Sequence, residues 1–190
     1  AAVQFHPEKS GEAGLRFLRN FLTGNGLVEK PAPAGPTRMA KRIIACLDVR
    51  EDDHGNLVVT KGDRYDVREG GKVRNLGDPV ECARRYYEEG ADEIVFLTIT
   101  AFRQEPLTAL PLLEMLRTVS GQVFVPLTIG GGIRPYTEKT GSFRSALDIA
   151  SAYFRAGADK ISIGSQAVEE AQEFLSTGTP PSGSSIRQIS

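Results

Sequence analysis

The sequence predicts an α/β fold in which a parallel sheet is assembled from successive strand–helix units. Three observations carry that expectation. Short apolar runs suited to strands buried on both faces, such as Ile43-Ile-Ala-Cys-Leu-Asp-Val49, alternate with amphipathic helical segments. The phrase Gly90-Ala-Asp92 returns as Gly157-Ala-Asp159, each time where a helix gives way to a strand. A Gly/Pro/Ala-rich stretch, with Pro31, Pro33 and Pro36, separates this repeating region from a short N-terminal segment.

Taken in order, residues 1–23 read as a strand at Val3–Phe5, the polar run His6-Pro-Glu-Lys-Ser10, and a helix to about Leu22. Ser10 is its N-cap, and Leu15, Leu18, Phe21 and Leu22 recur at helical spacing. Residues 24–40 are too broken for either element and form a linker; residues 41–190 form the main domain. Its first strand is Ile43–Val49, followed after the turn at Asp53–Asn56 by a short extension, Leu57–Lys61. Asp78 caps a helix with Pro79 at its first position, which runs to Glu89 and stops at Gly90. Strand Glu93–Thr98, helix Thr108–Val119, strand Val123–Ile129, helix Ser142–Ala156 and strand Asp159–Ile163 follow. The closing residues Ile186–Ser190 read as the start of a further helix, and both ends of the chain read as cuts. Alternation of this kind implies right-handed βαβ crossovers. The internal echo favours a barrel of repeated units, of which this chain carries the N-terminal half of a (β/α)8 TIM barrel.

Composition narrows the function. Lys and Arg total 23 against 24 Asp and Glu, which leaves no electrostatic footprint for nucleic acid and no polybasic stretch for a membrane. No apolar run is long enough to span a bilayer. Cys46 and Cys82 are not at framework spacing and read as reduced thiols of a cytoplasmic protein. No His/Cys/Asp cluster has metal-ligand spacing, and no cofactor is expected.

In a barrel, chemistry gathers at the carboxyl ends of the strands. Those positions are Asp48, Thr98, Thr128 with Gly130-Gly-Gly132, and Gly164-Ser165. Asp48 ends an otherwise apolar strand, where a carboxylate costs desolvation unless it faces a pocket or a partner. It reads as a general acid/base, or as a cap or ion pair for a neighbouring loop. The glycine run and Gly164-Ser165 occupy equivalent turns on adjacent strands, read either as tight βα turns or as two halves of a phosphate cradle. Lys61 lies in a long polar loop suited to a lid, or to plain solvation. His6 and Glu8 have the short spacing of a base and its orienting carboxylate, with no nucleophile elbow in the chain.

These residues also carry a resemblance. Val3-Gln-Phe-His-Pro-Glu-Lys-Ser10 resembles the closing motif of class I glutamine amidotransferases, in which His and Glu complete a Cys-His-Glu triad. Lys41–Val49, Gly77-Asp-Pro79, Ala91-Asp-Glu93, Thr128–Ile133 and Gly157–Ile163 resemble the cyclase of the imidazole glycerol phosphate synthase family. The order glutaminase tail, linker, cyclase is similar to the fused form found in fungi and plants. The resemblance implies that ammonia from glutamine cyclises a phosphoribulosyl formimino-aminoimidazole carboxamide nucleotide. The products would be imidazole glycerol phosphate and the aminoimidazole carboxamide ribonucleotide, in histidine biosynthesis.

By the same resemblance Asp48 is one of two catalytic aspartates and Lys61 the loop lysine that holds substrate. Gly131, Gly132, Gly164 and Ser165 contact phosphate, and Arg42, Glu93 and Lys160 belong to the charged ring where ammonia enters. Asp159 faces the glutaminase, and His6 and Glu8 are the remnant of the triad. The partners implied are the phosphorylated nucleotide, ammonia, the remainder of the glutaminase domain and a C-terminal half-barrel. The departures are equally specific. The second aspartate and the triad cysteine fall outside the chain, Thr98 replaces a carboxylate or amide of some relatives, and Ser176–Gly183 reads as an insertion before the fourth helix. The chain alone is therefore expected to lack glutaminase activity and to have little or no cyclase activity. The competing readings are the related phosphoribosyl-formimino isomerase barrel and a non-catalytic half-barrel that binds phosphate or self-associates.

Overall fold

The computed structural model describes residues 11–23, 41–60, 68–69, 72–73, 75–99, 110–138 and 141–189. Its contacts divide the chain into two units, Ala1–Lys41 and Arg42–Ser190. In the first unit, α1 (Gly11–Thr23) matches the expected helix; the expected strand at Val3–Phe5, the Ser10 cap, His6, Glu8 and the linker lie outside the described residues.

The second unit begins with β1 (Ile44–Glu51) and β2 (Leu57–Thr60), joined by a turn in which Asp52 accepts the backbone N–H groups of His54 and Asn56. Two short strands, β3 (Arg68–Glu69) and β4 (Lys72–Val73), pair with each other. Then come α2 (Pro79–Glu88), β5 (Glu93–Thr98), α3 (Leu110–Ser120) and β6 (Leu127–Gly130). A small hairpin, β7 (Tyr136–Thr137) with β8 (Phe143–Arg144), precedes α4 (Ala146–Arg155), β9 (Lys160–Ser162), α5 (Ser165–Thr177) and α6 (Ser185–Ile189). The main sheet has five strands in the order β2-β1-β5-β6-β9. β1, β5, β6 and β9 are mutually parallel, whereas β2 returns antiparallel along β1. The sheet is thus mixed rather than purely parallel, because the Asp52 turn is short enough to fold Leu57–Thr60 back onto its own strand.

The repeated Gly-Ala-Asp phrase is resolved into two devices. Gly90 and Gly157 take positive φ values, 93° and 111°. Each helix then closes in a Schellman motif: Gly90 N–H donates to Tyr87 O and Ala91 N–H to Tyr86 O, and Gly157 and Ala158 do the same to Phe154 and Tyr153. The aspartates clamp the feet of neighbouring strands. Asp92 donates its N–H to Ile43 O at 2.8 Å while its carboxylate accepts Ile43 N–H at 2.6 Å. Asp159 repeats this on Leu127, at 2.8 Å for both bonds.

One face of the sheet is dry. Leu47 and Val49 of β1, Ile94 and Phe96 of β5, and Leu127 and Ile129 of β6 are buried with Leu112, Leu116 and Val119 of α3 and Ile149 and Tyr153 of α4. Two of the helices start at side-chain caps: Asp78 accepts the N–H groups of Val80 and Glu81 of α2, and at α4 Ser145 with Asp148 forms a reciprocal capping box.

Three boundaries differ from the expectation. Val123 is buried but lies in the turn that follows α3, its N–H bonded to Val119 O; Pro126 lacks an N–H, and the strand starts only at Leu127. Ser142 is held in the small hairpin by Glu138 N–H, so α4 starts after Ser145. The Ser176–Gly183 stretch leads into the closing helix, α6, as expected, but an additional helix, α5 (Ser165–Thr177), lies ahead of it and takes in its first two residues.

What ties α6 back is a buried carboxylate. Glu170, 6% exposed, accepts Ser184 Oγ at 2.5 Å, Ser185 N–H at 2.7 Å and Ile186 N–H at 3.3 Å. Burial alone would raise its pKa, but the bonds from Ser184, Ser185 and Ile186 outweigh burial and hold it below the ordinary value of 4.5. A carboxylate with a depressed folded pKa stabilises fully above its unfolded pKa and loses that contribution as pH falls through the folded value. Glu170→Gln is therefore expected to cost about 1–3 kcal/mol at pH 7, from charge-assisted bonds to the helix start. The gap from the wild type should shrink when urea unfolding is repeated at acid pH below that window; a constant gap would show that the charge contributes nothing.

Candidate active site

Strand register decides which side chains share the open face of the sheet. Asp48 is level with Leu97, Leu97 with Gly130 and Gly130 with Ser162, while across the antiparallel edge Asp48 is level with Thr60. Thr60, Asp48, Leu97, Gly130 and Ser162 thus form one rung across all strands of the sheet, at or next to the carboxyl ends of β5, β6 and β9; β1 runs on to Glu51, so Asp48 lies within its strand rather than ending it as expected. The rung nearer the strand starts is Cys46, Val95, Thr128 and Lys160. Side chains opposite one another in register project to the same face. The register therefore aims Asp48 away from the dry core and over the same end of the sheet as the two glycine-bearing turns.

Those turns enclose a cavity of about 160 Å³ lined by Leu97, Gly131, Gly132, Ile133, Arg134, Ser162, Gly164, Ser165 and Gln166. The four expected phosphate residues, Gly131, Gly132, Gly164 and Ser165, are brought together here. Gly131 has φ 95°, and a Cβ added to it would run into the backbone oxygen and Oγ of Thr98. Thr98 is itself buried and donates its hydroxyl to Gly130 O at 3.0 Å, which locks the turn to β5. Its role in the fold is a bond to the glycine turn. Opposite, α5 starts at Ser165 with Gly164 as N-cap and no side-chain cap, in contrast to α2 and α4. Its first backbone N–H groups and the positive end of its dipole belong to the cavity wall, an arrangement suited to an anion.

Arg134 and Gln166 were not among the sequence candidates. Arg134 supplies the one charged side chain in the lining and is half-buried, with no hydrogen bond or ion pair to any other described residue. The signal was available: a cation two residues beyond a glycine run, before a helix. Gln166 is next to Ser165 in the first turn of α5, and its amide donates to Glu170 at 3.2 Å.

At the amino ends of the strands Glu93 gathers three partners. Its carboxylate accepts Arg42, Lys160 Nζ at 2.7 Å and Thr128 Oγ1 at 2.6 Å. Glu93 is buried while Arg42 and Lys160 keep about half their side-chain surface in solvent, at 42% and 47%. The bond from Lys160, then that from Thr128, hold the Glu93 carboxyl below its ordinary range against the opposing effect of burial. All three members of the expected charged ring are mutually paired. Asp48 is half-buried on the face between this cluster and the cavity, whereas Lys61 lies outside the described residues. Among the described residues no group of three His, Cys, Asp or Glu side chains could hold a metal ion, and no helix is long and apolar enough to cross a membrane.

A profile of the family described as histidine biosynthesis protein matches residues 42–179. The chain belongs to that family. This is a family of the TIM-barrel type, and the parallel β1-β5-β6-β9 order agrees with it. The chain is 57% identical over 193 aligned residues to the chloroplastic imidazole glycerol phosphate synthase hisHF of Arabidopsis thaliana, with 100% of this chain and 33% of that protein covered. To imidazole glycerol phosphate synthase hisHF of Emericella nidulans it is 57% identical, covering 96% of this chain and 35% of that protein. To the HisF subunit of imidazole glycerol phosphate synthase of Methanosarcina acetivorans it is 41% identical over 131 residues, covering 69% of this chain and 41% of that protein. The chain therefore spans about a third of the length of the hisHF relatives, and the expected resemblance to fused synthases is borne out.

The turn at Gly131 gives a direct check on how the cavity is built. Gly131→Ala should cost at least about 2 kcal/mol, from left-handed strain and the collision with Thr98. Equilibrium unfolding in urea measures it, and a cost below about 0.5 kcal/mol would mean that the turn does not depend on this glycine.

Proposed function

We propose that this chain supplies the N-terminal half of the cyclase barrel of an imidazole glycerol phosphate synthase, preceded by the end of its glutaminase domain. On this reading residues 1–23 close the glutaminase, 24–40 link the two, and 41–190 open a (β/α)8 barrel. The observation that carries it is one rung: the register that sets Asp48 on the open face also sets Gly130 and Ser162 there, beside the cavity formed by the glycine turn and the α5 start.

Asp48 is then a general acid/base for closure of the imidazole ring, working with an aspartate from the other half of the barrel. One phosphate of the formimino nucleotide occupies the cavity, held by backbone N–H groups of Gly131, Gly132, Gly164 and Ser165, with Arg134 supplying the compensating charge. Lys61 helps hold substrate from its loop. Arg42, Glu93 and Lys160 line the route by which glutamine-derived ammonia enters, and His6 and Glu8 complete a triad whose cysteine lies elsewhere in the glutaminase. Pairing supports a gate that stays closed until one of the half-exposed cations is displaced. The parent enzyme is a lyase/cyclase with glutamine amidotransferase activity; no cofactor enters this chemistry. Two free cysteines suit the reducing cytoplasm as the site of action, although the name of the Arabidopsis thaliana relative gives the chloroplast for that protein.

The test is ammonia-dependent turnover of the formimino nucleotide, followed by absorbance. The chain alone should be silent or nearly so, and a mixture with the separately expressed C-terminal half-barrel of a hisHF relative should turn over. Asp48→Asn should lower turnover at least about 100-fold. Arg134→Gln should raise KM roughly tenfold with a smaller effect on kcat, the loss of one charge-assisted contact. Silence in a mixture that forms a folded complex would leave a binding or interface fragment; the exposed outer edge of β9, without a strand partner among the described residues, favours self-association in that case.

A further inference from the structure

Thr60 is the one buried member of the upper rung whose hydroxyl has no partner among the described residues; Ser162, the other hydroxyl there, is exposed to solvent. It ends β2, it is 5% exposed, and its Oγ is buried with no hydrogen-bond partner among the described residues. The two residues before it, Val58 and Val59, are valines buried to a similar degree. Valine has the shape of threonine without the hydroxyl, so packing alone would be served at least as well by a third valine, and a buried unpaired hydroxyl costs stability. Such a group calls for a specific reason.

The register supplies it. Thr60 is directly opposite Asp48 across the antiparallel pair, on the same face, where Cβ atoms of paired residues stand about 4.5–5.5 Å apart. A single χ1 rotation swings the threonine hydroxyl between staggered positions, and one of these turns it along the rung. The other described residues level with Asp48 are Leu97, Gly130 and Ser162, and only Thr60 is both adjacent to it and able to donate a hydrogen bond. From these observations we infer that Thr60 is a positioning residue for Asp48: its hydroxyl donates to the Asp48 carboxylate when substrate closes over the rung, orienting it and favouring its ionised form. The inference rests on the proposed role of Asp48 and adds a residue of β2 to that site.

The charged and titratable groups facing Asp48 from the surrounding strands are Cys46 and Arg50 on its own strand and, nearer the strand starts, Glu93 and Lys160; Val58, Val95, Leu97, Gly130 and Ser162 bring none. The Cys46 thiol is pushed up first by burial and then by Asp48 and Glu93, so the carboxylate field reaches along this face. A donor at Thr60 stabilises the Asp48 anion in that field.

The experiment compares wild type, Thr60→Val and Thr60→Ser in the reconstituted mixture with the C-terminal half-barrel, together with thermal unfolding of the chain itself. Thr60→Val should leave the unfolding midpoint unchanged or higher, reduce kcat/KM about tenfold, and move the Asp48 limb of the pH–rate profile up by about one unit. Thr60→Ser, which keeps the hydroxyl, should recover most of the turnover and return the limb to its place. Wild-type kcat/KM and an unmoved limb in Thr60→Val would overturn the inference while leaving the reading of Asp48 intact. A clear fall in the midpoint of Thr60→Val would also overturn it, because the hydroxyl would then serve the fold. Full activity in Asp48→Asn would remove the reading on which the inference rests, and the inference with it.

Discussion

The parallel register of β1, β5 and β6 with β9 is the constraint from which everything else at the site follows. It is set at the feet of the strands, where Asp92 bonds both backbone groups of Ile43, just before β1, and Asp159 both backbone groups of Leu127, the first residue of β6. Side chains alternate between faces with period two, so a slip of one residue would send Asp48 into the dry core and Leu47 onto the open face. The clamp at the amino ends thus fixes where Asp48 and the glycine turns lie, several residues away.

The two ends of the sheet are built on different economies of charge. At the amino ends Glu93 is buried and satisfied by Lys160, Thr128 and Arg42, a closed arrangement in which removing one member would leave others unbalanced. In the cavity at the carboxyl ends much of the polarity comes from backbone, a left-handed glycine turn and an uncapped helix start, joined by a single arginine side chain. Backbone dipoles are fixed by the fold and need no reorganisation to meet an anion, whereas the cluster at the other end can open only by moving side chains.

Much of the fold was legible because its signals are local. The caps Asp78 and Ser145, the stops at Gly90 and Gly157, and the apolar runs of β1 and β5 each declare themselves within a few residues. The errors have a common cause as well. Val123 and Pro126 read as strand because apolar content does not distinguish a buried turn between helix and strand from the strand itself. α5 is masked in the sequence by the Gly164-Ser165 turn and the Pro-rich stretch that flank it, although Ala167–Leu175 has helical composition. Arg134 is not legible in the sequence because nothing in its own neighbourhood says that its turn, thirty residues before Gly164, shares a cavity with Gly164 and Ser165.

What the sequence determined by itself is the alternation of strands and helices, the family, and the identity of Asp48 and the glycine turns as the places where chemistry could sit; these are carried by residue type and short spacing. Only the tertiary structure decided that β2 folds back antiparallel, that Thr60 therefore stands opposite Asp48, that Glu170 holds α6, and that Arg134 joins the wall of the cavity. Those facts depend on pairing between segments distant in the chain. Pairing of that kind is fixed by the sum of many small packing and hydrogen-bond terms, none of which is written in the neighbourhood of any single residue.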